Sequence, residues 1–253
     1  MYRTWLILLP ALTAVLSDNI LILCPLSVRS HKIMFESLVN LLAQRGHSVT
    51  IVSAWKPNKI RENVREIVAI SGFEYFPNIS ILQLRRQGRT NPVPLDLAYV
   101  AKSCHNLYHN KQFMALLEEH FSVILMDSWL PNCFLGFAEK LGAPFIYLSP
   151  APSRVTLRAF PTVPPDLFPD PDPWGTFSGQ RQYERIYRTY LGNDVASIDE
   201  IQRKVSFMFM NAHFGLNAKM EEFEKVMEIG GYHCRPAVPL PQVSTLHEHE
   251  YVR

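Results

Sequence analysis

The stretch that decides the fold covers residues 19–53 and reads NILILCPLSVRSHKIMFESLVNLLAQRGHSVTIVS. Residues 19–24 form a short run rich in branched apolar side chains before a proline, which is typical of a buried strand. After His31 the apolar side chains recur at helical spacing, and Gly46 provides a stop. Residues 48–53 are strand-like again. The stretch therefore predicts a β-α-β unit, in which two parallel strands are joined by a right-handed crossover.

The same pattern returns in the second half of the chain. We predict a strand at residues 123–126, a helix at 132–141 ended by Gly142, and a strand at 144–149. These strands are almost continuously apolar, which indicates a sheet covered by helices on both faces. The expected fold class is α/β, a Rossmann-like doubly wound parallel sheet. Further elements are expected as strands at 79–84 and 205–210 and as helices at 95–119 and 180–191.

Composition and motifs exclude several classes of function. The 25 basic and 23 acidic residues are scattered along the 253-residue chain, so no nucleic-acid partner is expected. The glycines form neither a dinucleotide fingerprint nor a phosphate loop, and the hydrolase motif G-x-S-x-G does not occur. The cysteines follow no zinc spacing, and no metal site is expected. We expect most of them to be buried thiols, although an oxidising compartment would permit disulfides, with three possible pairings among Cys24, Cys104, Cys133 and Cys234.

The N-terminus has the composition of a targeting segment. Residues 1–17 contain Arg3 followed by a mostly apolar run, which favours a signal peptide cleaved before Asp18, although an uncleaved anchor or a buried element has similar features. No other run is long enough to span a membrane, so we expect no transmembrane helix after signal cleavage. The expected location is the lumen of the endoplasmic reticulum, or secretion. The sequon at Asn78 is then a candidate glycosylation site.

Two titratable residues follow strands of the predicted sheet. His31 lies at the junction after the first strand, and Asp127 comes directly after residues 123–126. Ligands of doubly wound sheets bind beyond the carboxyl ends of the strands. The positive end of a helix disfavours the charged imidazole, so His31 could accept a proton, while Asp127 could fix its tautomer. The alternative is structural: a histidine that caps a helix and an aspartate that caps a turn would give the same sequence pattern.

Four segments, in this order, resemble the N-terminal half of UDP-glycosyltransferases related to the animal UDP-glucuronosyltransferases. They are VRSHKIMFESLVNLLAQRGHSVTIVS, FSVILMDSWLPNCFLGFAEKLGAPFIYLSP, VSFMFMNAHFGLN and EIGGYHCRPAVPLPQ. The resemblance implies that residues 18–241 form the Rossmann-like acceptor-binding domain of a GT-B glycosyltransferase. It also implies that His31 is the catalytic base and that Asp127 orients it.

The implied reaction moves a sugar from a UDP-sugar to a hydroxyl group of a small lipophilic acceptor, with inversion at the anomeric carbon. UDP-sugar is the donor substrate of full-length relatives, and we expect no cofactor bound by this chain alone. Apolar side chains near the predicted site are candidates for an acceptor pocket, with ordinary core packing as the alternative. These candidates are Met34, Tyr99, Leu107, Phe113 and Trp129.

The sequence departs from this family after Pro241. Residues 242–253 form a polar tail that matches nothing in the donor-binding half of relatives. We therefore expect the chain by itself to be inactive or nearly so. The charge that develops on the departing diphosphate would lack the hydrogen-bond donors that stabilise it. One alternative is a non-catalytic truncated form that binds lipophilic ligands or associates with full-length relatives. Another is an unrelated secreted α/β binding protein.

Overall fold

A computed structural model of the chain describes residues 17–57, 59–70, 86, 97–150, 180–213 and 224–234. Its strands are β1 (Asn19–Cys24), β2 (Ser48–Ser53), β3 (Val64–Val68), β4 (Val123–Asp127), β5 (Phe145–Ser149), β6 (Phe207–Met210) and β7 (Val226–Glu228). Its helices are α1 (Arg29–Gln44), α2 (Leu97–His109), α3 (Lys111–Ala115), α4 (Leu135–Leu141), α5 (Gln180–Leu191) and α6 (Ile198–Gln202). Two single 3-10 turns cover Leu116–Glu118 and Pro131–Cys133.

The seven strands form one sheet in the order β3-β2-β1-β4-β5-β6-β7, and every neighbouring pair is parallel. The chain builds outward from β1 through β2 to β3, and then returns to place β4 on the other side of β1. Strand order thus reverses between β1 and β4, the position at which sheets of this kind bind ligands. The predicted Rossmann-like doubly wound parallel sheet is confirmed.

Side chains of the central strand β1 contribute to two hydrophobic cores, one on each face of the sheet. Leu21 and Leu23 pack on one face, while Ile20, Ile22 and Cys24 pack on the other. This division follows from the two-residue repeat of a strand. On the second face, Phe35 and Val39 of α1 complete the smaller core. Both faces are therefore covered, as the apolar strands predict.

Several predicted elements match the structure residue for residue, namely β1, β2 and α5. Helix α1, however, begins at Arg29 and not at His31, because the extended backbone ends at Val28 (ψ 160°). The helix expected at residues 95–119 is interrupted after His109. There the Asn110 side chain accepts a 3.0 Å hydrogen bond from the backbone N–H of Phe113 and starts a new helix.

The helix expected at 132–141 begins as a 3-10 turn and becomes α-helical only at Leu135. It ends as predicted, with Gly142 in the left-handed region at φ 70°. Two edge strands, β3 and β7, and the short helix α6 have no counterpart in the sequence analysis. The sequence did contain a signal for α6, because Ser197 and Glu200 form a capping box.

The expectation of mostly buried thiols is wrong, since it holds for only one of the four cysteines. Cys104 of α2 and Cys133 of the second 3-10 turn form a disulfide with their Cα atoms 5.7 Å apart. Both pack into the larger core, which brings together residues that are 29 positions apart in the sequence. Cys24 is a buried thiol, as expected, whereas Cys234 is exposed.

Several sequence predictions fall outside the described residues. They are the targeting segment up to residue 16, the sequon at Asn78, the strand at 79–84 and the polar tail at 242–253. None of the described helices is long and apolar enough to cross a membrane.

Candidate active site at the carboxyl edge of the sheet

The chain places His31 and Asp127 at the point where strand order reverses. His31 is the third residue of α1, which follows β1 after a short turn. Asp127 is the last residue of β4. Because β1 and β4 are hydrogen-bonded neighbours, with Leu23 opposite Met126, both residues emerge at the same edge of the sheet.

The two side chains are in direct contact. Nδ1 of His31 lies 2.9 Å from Oδ2 of Asp127. The Asp127 side chain has no exposed surface, whereas that of His31 is 17% exposed. The imidazole therefore connects a buried carboxylate with the protein surface. With Nδ1 engaged by the carboxylate, Nε2 is the ring nitrogen left to accept a proton from a bound molecule.

Two further donors satisfy the buried carboxylate. The hydroxyl of Ser27 donates to Oδ2, the same oxygen that faces His31. The backbone N–H of Trp129 donates to Oδ1 at 2.9 Å. Such hydrogen bonds offset the cost of burying a carboxylate. The orientation of the carboxylate is therefore set from three directions.

Trp129 also contacts the imidazole. The two rings meet edge to face, with centroids 5.9 Å apart and an angle of 84° between their planes. The next residue, Leu130, is buried and has a left-handed backbone (φ 53°), which is uncommon for a residue with a side chain. This tight backbone turn follows the strand directly, so Trp129 stays beside His31.

A buried ion pair lies next to the site. Lys32, the neighbour of His31 in α1, is only 3% exposed, and its ammonium group lies 3.0 Å from Oε2 of Glu66 in β3. The ammonium also donates to the backbone carbonyl of Trp55 at 2.9 Å. The Trp55 indole N–H in turn donates to the carbonyl of Ser27 at 2.9 Å. Sequence analysis identified none of these supporting residues, because each takes its role from a partner distant in the chain.

The structure separates the five candidate pocket residues. Trp129 lies beside His31, and Tyr99 on α2 is 37% exposed. Leu107 and Phe113, expected to line an acceptor pocket, are instead core residues with no exposed surface, and Phe113 stacks on Phe137 with ring centroids 3.9 Å apart. Apolar composition alone could not separate core from pocket in this region. Met34 is buried at 8% exposure, and its role as a pocket residue stays a prediction.

A cleft of about 540 Å³ has neither His31 nor Asp127 in its lining. It is bordered by α1 on one side, by the segment between β2 and β3, and by the turn after β7. The residues that line it are Glu36, Ser37, Asn40, Lys59, Arg61, Tyr232, His233 and Cys234. Among the described residues, no group of three or more histidine, cysteine or acidic side chains could hold a metal ion.

The fold and the site define a Rossmann-like α/β domain with a histidine–aspartate pair at the reversal of its strand order. No family profile matches the chain. Known relatives are nevertheless UDP-glycosyltransferases. The chain is 24% identical over 88% of its length to UDP-glucosyltransferase 2 of Dactylopius coccus, and 22% identical over 82% to human UDP-glucuronosyltransferase 2B10. It covers 49% and 48% of those two proteins, so the chain spans about half the length of the curated relatives it matches.

Rat UDP-glucuronosyltransferase 1A1 is 29% identical over 51% of the chain. Among solved structures, a glycosyltransferase of kitacinnamycin aligns with 85% of the chain at 15% identity and a TM-score of 0.46. The fold assignment follows from the sheet order itself. The relatives confirm the recognition of the chain as similar to UDP-glycosyltransferases, with glucuronosyltransferases among them.

Proposed function

We propose that residues 18–241 are the acceptor-binding, base-bearing half of an inverting UDP-glycosyltransferase. The observation that carries this proposal is the 2.9 Å contact between Nδ1 of His31 and Oδ2 of Asp127 at the ligand-binding edge of the sheet. Its direct support from comparison is the similarity to UDP-glycosyltransferases over most of the chain.

The proposed reaction is a single displacement. Nε2 of His31 takes the proton from a hydroxyl group of a small lipophilic acceptor, and Asp127 stabilises the imidazolium that forms. The acceptor oxygen forms a bond to the anomeric carbon of the sugar while the bond from that carbon to the UDP oxygen breaks. The electron pair of the broken bond leaves with UDP, and the configuration at the anomeric carbon inverts.

We further propose that these 253 residues do not transfer sugar by themselves. Charge develops on the departing diphosphate, and stabilising that charge requires donors aimed at it. In our proposal a second, donor-binding domain supplies them, and that domain selects the sugar. Glycosylation at Asn78, signal cleavage and a location in the endoplasmic reticulum lumen stay predictions.

The decisive experiment joins the chain to a donor-binding domain. The chain is fused to the donor-binding domain of a relative, and transfer from UDP-glucose and UDP-glucuronic acid to a panel of lipophilic phenols is measured. We expect transfer by the fusion protein, none by the chain alone, and loss of transfer in the His31→Ala fusion. His120→Ala, which alters an exposed histidine, is the matched control.

Transfer that survives His31→Ala contradicts the proposal. Acceptor binding without transfer in a folded fusion protein would instead favour the non-catalytic alternative, a domain that binds lipophilic ligands or associates with full-length relatives.

A further inference from the structure

We infer that Ser27 is a positioning residue for the His31–Asp127 pair and that Trp55 holds Ser27 in place. The inference rests on the proposed function only in taking His31 as the base. Ser27 lies in the turn between β1 and α1, and it is 1% exposed. Its hydroxyl donates to Oδ2 of Asp127, the oxygen that also faces Nδ1 of His31.

Because the Ser27 hydroxyl and His31 share Oδ2 of Asp127, the hydroxyl can fix the direction in which that oxygen points. An aspartate carboxylate rotates easily about its last side-chain bond, since that torsion has only a broad, roughly two-fold preference. The Trp129 N–H holds Oδ1, but one donor at Oδ1 leaves the direction of Oδ2 free within a wide range. The Ser27 hydroxyl supplies the second fixed point, so that Oδ2 is aimed at Nδ1. His31 is then kept as the Nδ1–H tautomer, with the Nε2 lone pair directed away from the carboxylate.

Ser27 is itself held through both its backbone N–H and its backbone carbonyl. Its N–H donates to the Cys24 carbonyl at 3.3 Å, which closes the turn, and its carbonyl accepts the Trp55 indole N–H at 2.9 Å. The Trp55 carbonyl accepts hydrogen bonds from the buried Lys32 ammonium and from the Ser53 hydroxyl, both at 2.9 Å. Hydrogen bonds between successive residues thus link the ion pair of Lys32 and Glu66, through Trp55 and Ser27, to the carboxylate of Asp127.

The test measures the tautomer of His31 in the full chain, and it requires no turnover. Nitrogen-15 NMR of the imidazole gives the ratio of the Nδ1–H to the Nε2–H form at neutral pH, and a His31→Gln sample assigns the signals. We expect the Nδ1–H form to dominate in the unaltered chain. In Ser27→Ala we expect the ratio to fall roughly fivefold, which is the effect of one net hydrogen bond. Ser27→Thr keeps the hydroxyl and should restore the ratio.

Two further variants separate positioning from general damage. Ser103→Ala removes a buried hydroxyl that donates to the Tyr99 carbonyl in α2, and it should leave the ratio unchanged. Trp55→Phe keeps an aromatic ring but removes the indole N–H, and it should lower the ratio less than Ser27→Ala does. If Ser27→Ala does not fold, the Trp55→Phe result decides the question.

An unchanged ratio in folded Ser27→Ala overturns the inference, as does a folded Ser27→Thr protein with the ratio of the alanine variant. If Ser27→Ala does not fold, an unchanged ratio in Trp55→Phe overturns it. The proposed function fails on a different observation, namely transfer by the fusion protein that does not depend on His31.

Discussion

Nδ1 of His31 and Oδ2 of Asp127 lie 2.9 Å apart although 96 residues separate them along the chain. The contact arises because β1 and β4 are neighbours in a sheet whose order reverses between them. A histidine so placed can use one nitrogen for orientation and the other for proton transfer.

In the fusion protein, Asp127→Asn should reduce kcat for sugar transfer by about 10³- to 10⁴-fold. An amide at this position offers an N–H where Nδ1–H of His31 needs an acceptor, so the opposite tautomer is favoured. Acceptor KM should change little, because the proposed role of Asp127 is to orient His31. Steady-state kinetics check both expectations.

The matched control for this change is Asp194→Asn, since the Asp194 side chain is 74% exposed and its partner is Lys140 on the surface. Equal losses of kcat in Asp127→Asn and Asp194→Asn would contradict a specific role of the buried carboxylate.

The buried ion pair beside the site should contribute to stability. Lys32→Met should lower the free energy of unfolding by about 3 kcal/mol or more, because it leaves Glu66, whose side chain is 8% exposed, with one fewer cation. Arg61 still pairs with the other oxygen of Glu66, so we expect the lower end of the usual range. Urea unfolding followed by circular dichroism measures the loss.

Lys140→Met is the control for that measurement. It breaks an ion pair with Asp194 in which both side chains are substantially exposed, and it should leave the free energy of unfolding nearly unchanged. A loss of similar size in the two variants would mean that burial does not decide the strength of these pairs.

Phe113 should behave as a core residue and not as a ligand contact. Phe113→Ala should reduce the free energy of unfolding by about 3 to 5 kcal/mol, because the fully buried ring leaves a cavity beside Phe137. Ile60→Ala, at a position that is 98% exposed, should stay within about 0.5 kcal/mol of the unaltered chain. If Phe113→Ala leaves the free energy of unfolding nearly unchanged but weakens acceptor binding, Phe113 is a pocket residue and not a core residue.

Thiol counting should reveal three different cysteine environments. In the native, unreduced chain we expect one thiol to react with a maleimide, and this is the exposed Cys234. Cys24 should stay unreactive, because burial raises the pKa of its thiol well above the ordinary value and the negative charge of Asp127 raises it further. Unfolding without reductant should give two reactive thiols, and unfolding after reduction should give four.

Cys234→Ser provides the control for this count, since it should abolish labelling of the native chain. Four reactive thiols in the unfolded, unreduced chain would contradict the disulfide between Cys104 and Cys133. The free energy of unfolding should be about 2 to 4 kcal/mol higher with the disulfide intact than after reduction.

The accuracy of the sequence analysis depended on how local the determining interactions were. Strand β1 and helix α5 were predicted residue for residue, because apolar periodicity within a short window specifies them. Gly142 ended its helix as expected, since a left-handed residue at that position favours glycine. Strand β3 was missed because it lies at the sheet edge and only Ile67 among its five residues is buried.

The site was predicted only in part. His31 and Asp127 were identified because the carboxyl ends of parallel strands mark the ligand-binding edge of a doubly wound sheet, and the resemblance gave the same pair. Ser27 and Trp55 carry no such signal, since a serine or tryptophan in a turn has many possible partners. Leu107 and Phe113 were named as pocket candidates because they are apolar residues of the insertion near the predicted site, and the sequence does not say what covers them.

By itself, the sequence determined the inner strands of the parallel sheet, the helices α1 and α5 and the two residues at the sheet edge, because each depends on periodicity or on position relative to a strand end. Only the tertiary structure decided which residues surround the carboxylate, which cysteines join, and which apolar side chains are core. Those outcomes depend on contacts between segments far apart in the chain, and such contacts form only when the sheet order brings those segments together.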